Sequence, residues 1–83
     1  MTVNLRLFAS IREAVGSSAL AVETQAGTVG ALRDELIARG SPWADALARG
    51  KSIRASVNQT MADDATPISH GVEVAFFPPV TGG

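Results

Sequence analysis

The last six residues, Pro78-Pro79-Val80-Thr81-Gly82-Gly83, hold the chemistry that the residue types of this sequence allow. Two prolines stiffen the base of the segment, and two glycines leave its tip without side chains. The five residues from Pro79 onward extend roughly 16 Å. A slender end of that reach, with a carboxylate on Gly83, can thread a narrow tunnel into another protein's active site. A free carboxylate is a poor electrophile. Its activation calls for an acyl-adenylate, made from ATP by a separate enzyme, because the chain has no P-loop or other phosphate-cradling run. An activated Gly83 carbonyl then has two outlets. It passes its acyl group to an amine, or it accepts sulfur and becomes a thiocarboxylate. With no Cβ at Gly83, nothing obstructs the attacked carbon. The competing reading is an ordinary frayed end.

The remaining reactive inventory is thin. There is no cysteine, which excludes disulfides, thiolate zinc sites, iron–sulfur clusters and a cysteine nucleophile. The one histidine, His70, cannot build an all-protein metal site alone and reads as a solvated turn residue. No bound cofactor is expected. Seven basic and eight acidic side chains give a net charge of −1, which argues against nucleic acid or an anionic membrane as partner. The apolar runs fall far short of the roughly 20 residues that span a bilayer. Met1-Thr2-Val3-Asn4 lacks the basic-then-apolar profile of a signal peptide. These features predict a soluble cytoplasmic protein that is not a self-sufficient enzyme.

The elements that must present the tail follow from patterning. A chain of 83 residues, 46% apolar, is one small domain, here residues 1–79, with 80–83 as a flexible tail. Residues 3–8 alternate: Val3, Leu5 and Leu7 point one way, Asn4, Arg6 and Phe8 the other, as in a half-buried strand. Ala9 to Val15 reads as a helix with Ser10 as N-cap, Glu13 completing a capping box and Gly16 as stop. Ala19 to Glu23 is a weaker strand. Thr28 caps the main helix, in which Val29, Leu32, Leu36 and Ile37 face the core while Arg33, Asp34 and Arg39 face out. Gly40 ends it. Ser41-Pro42 starts a short helix with serine as the cap, and Trp43 in it reads as a core plug. Ile53 to Asn58 is a third strand, and the amides of Asn58-Gln59 at its end suit turn capping. Asp63-Asp64 marks a turn, Thr66-Pro67-Ile68 an edge strand, and His70-Gly71 a further turn. Val72 to Phe77 is the last strand, with Val72, Val74 and Phe76 on one face. This order predicts an α+β roll: a mixed sheet of about five strands with one main helix and short additional helices on one face.

Two aromatics break the pattern. Phe8 and Phe77 both fall on the polar-phase side of their strands and at the C-terminal ends. If the first and last strands lie parallel and adjacent, the two rings form one apolar patch at the base of the tail, which is the mark of an interface. Arg39, Arg49, Lys51 and Arg54 form a basic sector, read as a solvated face or a docking site for an acidic partner.

The ending Glu73-Val74-Ala75-Phe76-Phe77-Pro78-Pro79-Val80-Thr81-Gly82-Gly83 resembles the C-terminus of the molybdopterin synthase small subunits. Leu7-Phe8-Ala9 followed by Arg12-Glu13 and Val15-Gly16, Thr28-Val29 with Ala31-Leu32-Arg33, and Val57-Asn58-Gln59 are similar to that family too. Ser69 to Glu73 departs from it, since the family carries acidic residues around this glycine. The resemblance implies a β-grasp, ubiquitin-like fold and a sulfur carrier. It implies that an E1-like adenylyltransferase uses ATP to activate Gly83, and that a sulfurtransferase supplies the sulfur. The thiocarboxylate then donates to cyclic pyranopterin monophosphate in the large synthase subunit, within a two-plus-two assembly. On this reading Gly82 gives passage, Phe8 and Phe77 meet the large subunit, and Pro78, Pro79, Val80 and Thr81 lead into it. The related sulfur carrier of thiazole synthesis, a ubiquitin-like protein modifier and a bare interaction module are the alternatives.

Overall fold

The computed structural model describes residues 1–79. Its elements are β1 (Thr2–Leu7), α1 (Ala9–Val15), β2 (Ala19–Glu23), α2 (Val29–Ile37), α3 (Trp43–Ala46), β3 (Arg54–Val57), β4 (Thr60–Ala62) and β5 (Glu73–Phe77). The five strands form one sheet in the order β2-β1-β5-β3-β4. Only β1 and β5 pair in parallel, with Leu5 opposite Val74 and Leu7 opposite Phe76; the other pairs are antiparallel. The first and last strands thus lie side by side at the centre, and the topology is the expected mixed-sheet β-grasp roll.

Alternation sets what each sheet face carries. Val3, Leu5, Leu7, Val74 and Phe76 are each at most 1% exposed and pack with Ile11 of α1, Val29, Leu32 and Leu36 of α2, and Trp43 and Leu47. Trp43 is the core plug its position predicts. All three helices contribute to this one core, so they cover one face and leave the other open. No helix among the described residues is long and apolar enough to cross a membrane.

Several local expectations are corrected. Ser10 does not cap α1. Phe8 is the N-cap residue, in extended conformation and with no side-chain cap, and its carbonyl accepts from the amides of Ile11 and Arg12. Ala9 follows with φ +50°, a left-handed residue that turns the strand into the helix. At α3 the cap position belongs to Pro42 rather than Ser41, whose hydroxyl instead donates to Asp45 at 2.9 Å. Thr66 to Ile68 is not a strand; Pro67 makes only an isolated bridge to Thr28. The fifth strand is β4, reached from β3 through Asn58 and Gln59, both left-handed as a tight two-residue hairpin requires.

The largest correction concerns Arg33. It does not face out: it is 6% exposed. Its Nε donates to the Leu47 carbonyl at 2.7 Å, and one terminal nitrogen donates to the carbonyls of Ala48 and Lys51 at 2.7 and 3.1 Å. The segment between α3 and β3 is held by two backbone bonds, from the Lys51 amide to Ala48 and from the Ile53 amide to Lys51, and the guanidinium adds a second bond to each of those carbonyls and one to Leu47. Thr28 behaves as expected, its hydroxyl accepting from the Ala31 amide at the start of α2. Gly40 takes φ +87° just beyond that helix.

Candidate docking face and the base of the tail

The open sheet face ends at the tail's base. Residues that alternate away from the core are Arg6 from β1 and Phe8 just beyond its end, Glu73, Ala75 and Phe77 from β5, and Ser56 from β3. They floor a shallow concavity of ≈ 780 Å³ that Met61, Pro78 and Pro79 also line. Because β1 and β5 run in register with Leu7 opposite Phe76, the next residues of both chains emerge together on the other face. The rings of Phe8 and Phe77 accordingly meet edge to face, with centroids 6.3 Å apart and planes at 86°. Phe8 is 42% exposed, and Phe77 is half-buried.

Phe8, Phe77, Met61 and Pro78 give this face its apolar surface, and Arg6, Glu73, Ser56 and Gln59 its polar one. Ala75 and Ser56 are buried between neighbouring strands. Arg6 and Glu73 form a cross-strand ion pair at 3.8 Å. Arg54 stands opposite Phe77 in the β3–β5 register and is exposed. Asn58 ties the β3–β4 hairpin to β5 twice: its amide donates to the Glu73 carbonyl at 2.8 Å, and its side-chain oxygen accepts from the Glu73 amide at 2.9 Å. That double bond of the hairpin onto β5 fixes Met61 beside the groove, since Met61 pairs with Ser56 across β3 and β4.

The structure brings Phe8, Phe77, Pro78 and Pro79 together at one place. Val80, Thr81, Gly82 and Gly83 lie outside the described residues. The sequence reading missed Met61 and Ser56 as members of this face. A three-residue strand shows too little alternation to be found, and Asn58 followed by Gln59 rather than glycine hid the hairpin.

The basic sector is not one site. Arg49 donates to Asp34 at 2.8 Å, to Asp64 at 2.7 Å and to the Gly30 carbonyl at 3.0 Å, which binds α2 to two loops. The hydrogen bond from Arg49 holds the Asp34 carboxyl below its usual range, and the bonds to Asp34 and Asp64 raise the Arg49 guanidinium. Arg39 reaches the Glu23 carbonyl at 3.4 Å. His70 is exposed, and its Nδ1 accepts from the Thr2 amide at 3.0 Å, a turn residue that also fastens the start of β1. Among the described residues no cluster of His, Asp or Glu could hold a metal ion.

A model of the ThiS family matches residues 5–83. The molybdopterin synthase sulfur carrier subunit of Escherichia coli (strain K12) is 47% identical over 81 residues, which cover 98% of this chain and 99% of that one. The protein of the same name from Haemophilus influenzae is 42% identical over the same shares of both chains. Among solved structures, the small archaeal modifier protein 1 of Haloferax volcanii superposes with a TM-score of 0.75 at 27% identity, covering 95% of this chain and 98% of that one.

Proposed function

The chain belongs to the ThiS family, and we propose that it is the sulfur carrier of molybdopterin synthesis. The observation that carries this reading is the 47% identity, over nearly the whole of both chains, to a molybdopterin synthase sulfur carrier subunit. The apolar groove at the base of the tail supports it, because a carrier must dock as well as react. In this reading Gly83 is the reacting residue. Its carboxylate attacks the α-phosphorus of ATP in the adenylyltransferase, and pyrophosphate leaves. A sulfur nucleophile then attacks the acyl-adenylate carbon and displaces AMP, leaving a thiocarboxylate. The loaded tail enters the large synthase subunit, its sulfur bonds to the pterin precursor, and water hydrolyses the acyl–sulfur bond, so that the sulfur stays with the pterin and Gly83 is again a carboxylate.

The division of labour follows from the residues. Phe8 and Phe77 seat the domain on the large subunit through the groove. Pro78 and Pro79 aim the tail, Val80 and Thr81 lie along the partner's channel, and Gly82 passes its narrowest point. ATP is handled by the adenylyltransferase and sulfur by a sulfurtransferase, so this chain supplies neither a cofactor site nor an acid–base pair. ATP-dependent activation assigns the carrier to the cytoplasm.

A protein-modifier role is the second reading, favoured by the likeness to the archaeal modifier protein. There the activated Gly83 would pass to a lysine amine. The two readings separate in a strain lacking its own carrier. Full-length chain restores molybdoenzyme activity, and the chain without Gly83 does not. Restoration by the shortened chain contradicts the carrier reading.

A further inference from the structure

Met61 is the most exposed large apolar side chain among the described residues, at 59%. It stands on β4, an outer strand, opposite Ser56, and lines the same groove as Phe8 and Phe77. The chain has no cysteine and two methionines, so the thioethers of Met1 and Met61 are its only side-chain sulfurs. Met1 does not line the groove. Its ammonium group donates to the Thr24 carbonyl at 3.1 Å, at the opposite end of β1 from Phe8.

We propose that Met61 is an oxidative modification site, and that a peroxide, by converting its thioether to the sulfoxide, closes the groove to the large subunit. The sulfur takes one oxygen from the peroxide, the O–O bond breaks, and water or an alcohol leaves. Methionine sulfur is oxidised by two electrons and the peroxide is reduced by two. The product carries a strong hydrogen-bond acceptor on a flexible arm that was apolar. The groove's side-chain donors are Arg6, already ion-paired with Glu73, and Ser56 and Gln59, while the rings of Phe8 and Phe77 offer that oxygen none. Seating a partner over it strips that oxygen of water, and desolvating a strong acceptor on a face that docks through apolar contact opposes association. Docking covers the same sulfur, so the free carrier is the form that is modified. The inference rests on the reading of the groove as the docking surface.

The test uses the full chain in its carboxylate form, so that no terminal thiocarboxylate competes for oxidant. Wild type, Met61→Leu and Phe77→Ala are each titrated against the large subunit before and after hydrogen peroxide. Peptide mass mapping locates the added oxygen. Wild-type affinity is expected to fall by about tenfold or more after peroxide, and methionine sulfoxide reductase is expected to restore it. Met61→Leu, compared with itself, is expected to keep its starting affinity although Met1 gains oxygen. Unchanged affinity of the Met61-oxidised wild type overturns the inference, as does an equal loss in Met61→Leu. If Phe77→Ala is weakened while oxidation has no effect, the Met61 inference alone falls. If Phe77→Ala also binds like wild type, the docking surface itself is wrong.

Discussion

Phe8 and Phe77 meet edge to face at 6.3 Å across the parallel β1–β5 pair, on the sheet face that the helices leave open. One residue earlier on each strand, Leu7 and Phe76 face each other inside the core, both 1% exposed. Neighbouring phenylalanines in β5 therefore have opposite roles. Phe77→Ala is expected to weaken binding of the large subunit by about 1.5–3 kcal/mol, roughly ten- to a hundredfold or more, with the circular-dichroism spectrum unchanged. Phe76→Ala empties a core site and is expected to cost about 3–5 kcal/mol in urea unfolding. Equal stability losses in both variants would place Phe77 in the core.

Arg33 gives a test of the fold that periodicity alone would get wrong. An exposed helix arginine can be replaced with an effect within about 0.5 kcal/mol. This one holds three carbonyls of the segment between α3 and β3. Arg33→Met is expected to lower unfolding free energy by about 1–3 kcal/mol, because it leaves the buried Leu47 carbonyl unpaired and takes a second bond from the Ala48 and Lys51 carbonyls, which keep the amides of Lys51 and Ile53. Arg33→Lys is expected to recover only part of this, since one ammonium cannot reproduce the guanidinium fork. Denaturant midpoints compare the three chains.

Gly30 reverses a familiar rule. Within a helix, Gly to Ala ordinarily gains up to about 1 kcal/mol. Here a Cβ at position 30 would sit 2.8 Å from the Asp64 Cβ and 3.1 Å from the Asp64 carbonyl oxygen. That carbonyl accepts from the Gly30 amide at 3.0 Å, so the loop cannot back away without losing the bond. Gly30→Ala is expected to lower the melting temperature, and a higher one would contradict the close approach.

The Arg49–Asp34 pair makes an acid-dependent contribution of definite sign. Asp34 is held below the usual carboxylate value of 3.8 by the hydrogen bond from Arg49. A carboxyl lowered in the folded state stabilises above its unfolded pKa, and that contribution is lost as the pH falls through the lowered folded value. The stability gap between wild type and Arg49→Ala is therefore expected at neutral pH and to narrow below about pH 4. Both side chains are substantially exposed, so the gap is small and shrinks with added salt. A gap that widens in acid would reverse the assigned sign.

Where the sequence patterning is long and regular, it reads directly into the fold. The alternation of Val3, Leu5 and Leu7 and of Val74 and Phe76 locates the two central strands, and the same alternation sends Phe8 and Phe77 to the opposite face. The helix period finds α2 and its cap at Thr28. What was hidden depends on tertiary partners. Arg33 lies on a helix face that looks solvent-facing until the segment after α3 folds over it. β4 has three residues and so almost no period, and Met61 became visible as part of the groove only once β4 paired with β3. Thr66-Pro67-Ile68 has strand-forming residues, yet its only pairing is a single bridge to Thr28.

Sulfur carriage on the main-chain carboxyl of Gly83 is the step on which the proposed function depends. The most direct measurement is the intact mass of the full chain after incubation with the adenylyltransferase, ATP, a sulfurtransferase and its sulfur source. A mass in which one oxygen is replaced by sulfur is expected, with no such change in the chain lacking Gly83. An unchanged mass, or a mass found only in larger covalent conjugates, would contradict the proposed function.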